Sequence, residues 1–273
     1  MKNLTKNITL LLLTILCWPL FSQSVSVSPS RLYFEGDLGD YKSQLIRVTN
    51  NGLQAETFLV SFNSFMSEGN KGKTKLTEAE NNSYSCAEWL SASPAFFELQ
   101  AGQTQDVQVL LQVPNTPEAN SVRWAVAAVK VTKENTRLNE QGSDVVGMQI
   151  LQTFQFLIHI FQTPPGITHK EAQVDNFKMK STPDDTLQVL TMDVHNTGPT
   201  ILNCAPYLDI VNLNTGEMKR IKNKGFTVLP KGIRQIRFVL PSDLESGKYS
   251  VLGVIDYGSD SDLAGAELTV NIP

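Results

Sequence analysis

The chain has 273 residues, 41% of them hydrophobic, and its 23 basic against 27 acidic residues leave a net charge of −4. That length suits one or two domains, and that apolar content excludes a disordered polymer. A mildly acidic chain without a basic run lacks the electrostatic footprint of a nucleic-acid binder or of a protein held on anionic lipid.

Residues 1–22 read as a secretory signal peptide. Lys2 and Lys6 precede an apolar run from Ile8 to Leu16, which is shorter than the roughly 20 residues that span a bilayer, and Pro19 with Ser22 suits a processing site. Cys17 opens a lipoprotein alternative, but Ile15 and Leu16 stand where small residues would be needed before a lipidated cysteine. Loss of this segment removes two lysines and no acid, so the mature chain carries about −6. No later segment is long and apolar enough to span a bilayer as a helix, so the mature product is expected to act without membrane insertion.

Short alternating segments follow at residues 25–34, 42–50, 56–65, 96–99, 104–113, 121–132 and 145–161, separated by turn signals such as Asn50-Asn51-Gly52 and Ala101-Gly102. Seven such strands predict an immunoglobulin-like sandwich over residues 23–163. Residues 63–86, rich in Glu, Asn, Lys, Ser and Gly, hold too little apolar material to pack alone and read as a mobile surface loop, either a tolerated insertion or a partner contact. Pro164 and Pro165 cannot donate to a ladder and mark a boundary. A second series at 172–180, 186–196, 207–212, 217–222, 232–240, 247–257 and 264–272 predicts a second sandwich over residues 167–273. The fold class is therefore all-β, two immunoglobulin-like sandwiches in tandem. On these boundaries Cys86 and Cys204 fall in different domains and read as two separately buried thiols, with an interdomain disulfide as the alternative.

Little in the chain suggests catalysis. His159, His169 and His195 have no metal-site spacing, and no nucleophile elbow, phosphate-cradling loop or cofactor motif is present. The acids Asp184 and Asp185, and those between Asp256 and Asp262, could in principle hold calcium, but the second group reads better as a polar turn. Asn81-Asn82-Ser83 fits a glycosylation sequon, a short pattern that arises often by chance.

The run at residues 145–161 is unusual for its length. About 17 residues at 3.3 Å each reach roughly 55 Å, where a typical strand has about five or six residues. Val146, Met148, Ile150, Gln152, Phe154, Phe156, Ile158 and Ile160 share one face, which is apolar except at Gln152. Such a strand is either an ordinary central strand or, at a sheet edge, a liability unless a partner pairs with it. An edge strand of this kind can donate ladder hydrogen bonds and alternate side chains to a partner's groove.

Several pieces in order then resemble the PapD-like periplasmic pilus-assembly chaperones: Val27-Ser-Pro-Ser-Arg31-Leu-Tyr-Phe34, Val48-Thr-Asn-Asn51, the stretch from Ala92 to Thr104, Ser121-Val-Arg-Trp124, and the long strand ending at Gln162-Thr-Pro164. The resemblance covers most of residues 25–165. It implies two linked immunoglobulin-like domains, a cleft in which an arginine and a lysine hold a subunit's C-terminal carboxylate, and donation of the long strand to that subunit. Carried over by position, Arg31 matches the cleft arginine, and Met148, Ile150, Gln152 and Phe154 lie on the donated face. His159 stands where the lysine belongs, and Gln152 interrupts the apolar row. Above about pH 6.5 a neutral imidazole would anchor a carboxylate weakly. These departures, with the 63–86 segment, suggest a divergent branch. The expected function is periplasmic, chaperone-like binding of pilus, fibre or secreted protein subunits. The alternative is a non-catalytic structural or accessory component of a cell-envelope surface or secretion assembly.

Overall fold

The computed structural model describes residues 24–78, 82–132, 154–180, 188–260 and 262–272. The first ten strands are β1 (Val25–Ser28), β2 (Arg31–Glu35), β3 (Tyr41–Asn50), β4 (Glu56–Glu68), β5 (Lys73–Thr77), β6 (Leu90–Ser93), β7 (Phe96–Leu99), β8 (Thr104–Gln112), β9 (Arg123–Thr132) and β10 (Gln155–Thr163). They make two sheets, ordered β1-β3-β8-β6 and β2-β10-β9-β4-β5, with β7 also paired to β4. After Pro164 come β11 (Ala172–Lys180), β12 (Val189–Asn196), β13 (Leu202–Asn212), β14 (Met218–Lys222), β15 (Phe226–Val228), β16 (Ile233–Val239), β17 (Gly247–Asp256) and β18 (Ala264–Ile272). Their sheets run β11-β12-β16 and β14-β13-β17-β18, with β15 paired to β13.

Period-two patterning builds each core. Ile46 and Val48 on β3, and Val107, Val109 and Leu111 on β8, face Phe58, Val60, Ala125, Ala127, Val129, Ile158 and Ile160 from the opposite sheet. The second core gathers Leu190, Met192 and Val194 on β12 with Leu208, Ile210, Val251 and Ile255 from the facing sheet. Cys86 belongs to the first core and Cys204 to the second, both as free thiols. Burial, which penalises the thiolate, pushes each thiol up to about 12.

Strand β9 is buried along nearly its whole length because it is covered on both faces. One face completes the first core. The other places Trp124 and Val126, with Val122, Phe65 and Phe161, against Ile201 and Leu229 of the second sandwich. Trp124 donates its indole N–H to the Phe65 carbonyl at 3.0 Å and stacks on Tyr84 with ring centroids 4.5 Å apart. The two sandwiches therefore meet through an apolar joint.

Two expectations need correction. The run 25–34 is two strands: Pro29, unable to donate to a ladder, falls between β1 on one sheet and β2 on the other, so the chain changes sheets there. Residues 63–77, read as loop, form a hairpin, because β4 runs on to Glu68 and turns into β5, with Ser64 opposite Thr77 and Glu68 opposite Lys73. At the turn Gly72 has φ +60°, and a Cβ there would stand 2.7 Å from an Arg234 nitrogen, so glycine suits both the conformation and the close approach. The hairpin is stabilised from outside itself. The Gln235 amide of β16 donates to the Asn70 carbonyl at 2.6 Å, which ties the hairpin tip to the second sandwich.

The proposed donor strand is described from Phe154 onward, as β10, and extends two residues past Phe161 to Thr163. Residues 145–153, with Met148, Ile150 and Gln152, lie outside the described residues, as do Asp184 and Asp185. In the other acidic stretch, Asp256 accepts the Gly258 amide at 2.9 Å and closes a turn.

Candidate functional site

Arg31 opens β2 and faces out of the sheet, exposed. Parallel pairing of β2 with β10 sets it directly opposite His159, so the two residues singled out by position do come together. The His159 Nε2 lies 2.8 Å from the Thr74 hydroxyl of the β4–β5 hairpin, and its ring stands edge-on to Phe65 at 5.0 Å. Burial, and then the neighbouring Arg31 charge, lowers the His159 pKa, so the imidazole is neutral at pH 7. A neutral ring held by a hydroxyl is a poor second anchor for an anion.

A second cation arrives from the other sandwich. Arg234 on β16 lines the same cavity as Arg31, His159, Phe65 and Thr74, a space of about 220 Å³. Its guanidinium lies over the Phe226 ring, 5.6 Å from the centroid. Burial and the Arg31 charge lower its pKa, but from so high a starting value that it stays protonated. Beyond it the cleft widens to about 720 Å³, where Arg31 and Arg234 are joined by Lys71, Lys180, Lys224 and Arg237 and no acid among the described residues lines the wall. Arginines on other strands are paired within the fold: Arg47 sits 2.7 Å from Asp106, and Arg220 2.6 Å from Asp209. No such carboxylate meets Arg31 or Arg234 among the described residues.

Beside the cleft, the two halves of β10 differ in pairing. From His159 to Gln162 the strand lies between β2 and β9. Among the described residues, 155–158 pair with β9 alone, because β2 begins only at Arg31, opposite His159. Phe154 continues the face that carries Phe156, Ile158 and Ile160, yet it is 53% exposed while Ile158 and Ile160 are in the core. Its carbonyl still accepts the Val131 amide at 3.0 Å, which holds it at the end of the β9 ladder.

Sequence reasoning named Arg31, Phe154 and His159, and did not name Arg234, Lys71 and Arg237, which line the cleft beside Arg31. These come from a segment read as a loop and from a second-sandwich strand with no signature of its own. Alternation could place Arg234 and Ile236 on one face of β16, but which domain surface that face meets is a tertiary fact.

Fold and site together define a two-sandwich, all-β protein with a cationic cleft at the interdomain joint. No family model matches the sequence, and no curated protein matches it. Among solved structures it is similar to the YadV chaperone, with 13% identity and a TM-score of 0.45 over 92% of this chain and 100% of that one. It is similar also to the Escherichia coli chaperone DraB, with 15% identity and a TM-score of 0.44 over 90% and 96% of the two chains. A chain of the Salmonella enterica complex between the SafA pilin and the SafB chaperone gives 14% identity and a TM-score of 0.44 over 92% and 99%. Likeness at this level decides nothing about function.

Proposed function

We propose that this protein is an exported, periplasmic chaperone-like protein that binds pilus, fibre or secreted subunits by lending them the strand that leads into β10. The observation that carries the reading is the open edge at residues 155–158, next to an exposed Phe154 on an otherwise core-facing row. An unpaired strand edge offers main-chain hydrogen bonds, and alternate side chains beside it supply specificity. Met148, Ile150 and Gln152 would continue the row upstream. Arg31, beside the open edge, would hold the carboxylate at the client's end, a charge-assisted contact stronger than a neutral hydrogen bond.

The test is capture of clients from periplasmic extract on the tagged mature protein, repeated with Phe154→Glu. An unpaired carboxylate in the client's apolar groove is strongly disfavoured, and the burial of the phenyl ring is lost with it. The co-eluting subunit should therefore disappear while circular dichroism stays unchanged. Unchanged capture by Phe154→Glu, with the protein folded, would leave the reading of a fixed envelope component in its place.

A further inference from the structure

We propose that the interdomain cleft takes an acidic peptide end: a client terminus whose final carboxylate lies between Arg31 and Arg234, and whose preceding acidic side chains reach Lys71 and Arg237. This rests on the client-binding reading and names the class of client.

Three observations support it. First, among the described residues six basic side chains and no acid line one cleft, on a chain that is acidic overall. A local field of one sign in a walled groove concentrates opposite charge there, while the net negative charge of the molecule disfavours large polyanions elsewhere. Second, Arg234 is half-buried with a ring beneath it and no carboxylate or hydrogen-bond acceptor beside it among the described residues. A partly desolvated cation without a counter-ion is costly, and a ligand carboxylate would offset that cost. Third, Arg31 sits on an edge strand, since β2 ends its sheet, whereas the outer edge of β16 is engaged by the bonds from the Gln235 amide to Asn70 and from Asn223 to the Arg237 carbonyl. An extended peptide can pair its backbone along an edge such as β2, which a small anion cannot do.

Arg234 also resolves the difficulty raised by His159. Where a lysine would have supplied the second charge from β10, the second charge comes from β16, across the joint. The hairpin that brings Lys71 to the cleft is tied to β16 by the bond from Gln235 to Asn70, so these cations are placed by the docking of the two sandwiches.

The experiment uses the mature full chain and a fluorescein-labelled strand peptide of alternating valine and threonine, read by fluorescence polarisation. The peptide is made with an amidated end, with a free carboxylate, and with a free carboxylate preceded by two glutamates. Each added anchoring charge should tighten binding by about tenfold, the glutamate peptide binding best. Replacing Lys71 and Arg237 together with glutamine should erase the advantage of the glutamate peptide and leave the plain free-acid peptide unaffected. Arg234→Gln should weaken both by about tenfold. Equal binding of the glutamate and plain free-acid peptides would overturn the acidic preference while leaving strand donation standing. Equal binding of the free-acid and amidated peptides would instead remove the carboxylate anchor itself. A glutamate advantage that survives the Lys71 and Arg237 double substitution, or displacement of that peptide by an equal concentration of pyrophosphate, would make the cleft a general anion site and overturn the proposal. Absence of binding by all three peptides would sink both readings.

Discussion

Within β10, residues 159–162 are walled between β2 and β9, whereas among the described residues 155–158 have β9 on one side only, although the same apolar alternation runs through both halves. Ile158 and Ile160 are in the core and Phe154, on the same face, is half exposed. Alternation alone therefore does not separate a strand walled on both sides from one with an open edge. The separation comes from where the neighbouring strand starts, and β2 starts at Arg31 because the chain has just crossed from the other sheet at Pro29.

The largest expected effect is on the walled side. Ile158→Glu places an unpaired carboxylate in a fully packed core and should cost about 4 kcal/mol or more, measured as a fall in urea midpoint or outright failure to fold. Phe154→Glu should stay within about 0.5 kcal/mol of wild type in the same measurement. Equal losses at the two positions would erase the distinction between the halves of β10 and make the whole strand an interior one.

Next in size is the anchor beside the open half. Arg31→Ala should weaken client affinity by about tenfold, because a charge-assisted bond is lost, while the melting temperature stays within a degree or two. A large drop in melting temperature would instead show Arg31 to be structural. His159→Lys should tighten client binding by only about a few-fold at pH 7.5, since Arg234 already supplies the second charge, and should cost about 1 kcal/mol of stability through burial beside Arg31 and loss of the Thr74 contact. Tightening by a hundredfold in an affinity titration would mean that Arg234 does not act as the second anchor.

The smallest effect is in the pH dependence. Burial lowers the His159 pKa below its unfolded value of about 6.5, so on acidification the unfolded state takes up the proton first. The stability associated with a neutral His159 is complete above about pH 6.5 and is lost as pH falls through that value towards the folded-state pKa. Melting temperatures between pH 7.5 and 5.5 should therefore fall further for wild type than for His159→Gln. Parallel curves would mean that the ring is solvated enough to titrate normally.

The strands at 96–99, 172–180 and 264–272 are read from the sequence to the residue. Each lies between turn residues, and 264–272 alternates throughout, while 172–180 keeps its place despite a bulge between Asp175 and Lys178, so local rules suffice for their bounds. The β4–β5 hairpin escaped that reading because its own apolar content is low. What orders it is Trp124 bonding the Phe65 carbonyl, Asn82 bonding both the Ser64 hydroxyl and the Phe65 carbonyl, and β16 bonding Asn70. None of those partners is a sequence neighbour. β15 was missed for a similar reason, being three residues that pair only because β13 lies alongside.

By itself the sequence determined the all-β class, the break at Pro164 and Pro165, the apolar row through Phe154 to Ile160, and the choice of Arg31 and His159 as candidates, since each is written in alternation, in proline chemistry or in a short ordered pattern. Only the tertiary structure decided that β2 leaves half of β10 open, that residues 63–77 form a hairpin tied to the second sandwich, and that Arg234 lines the same cleft as Arg31 across the joint. Those outcomes depend on which surfaces meet. Apolar burial drives the docking of Phe65, Trp124 and Phe161 on Ile201 and Leu229, and that contact, between residues far apart in the chain, brings the cations of two domains into one cleft.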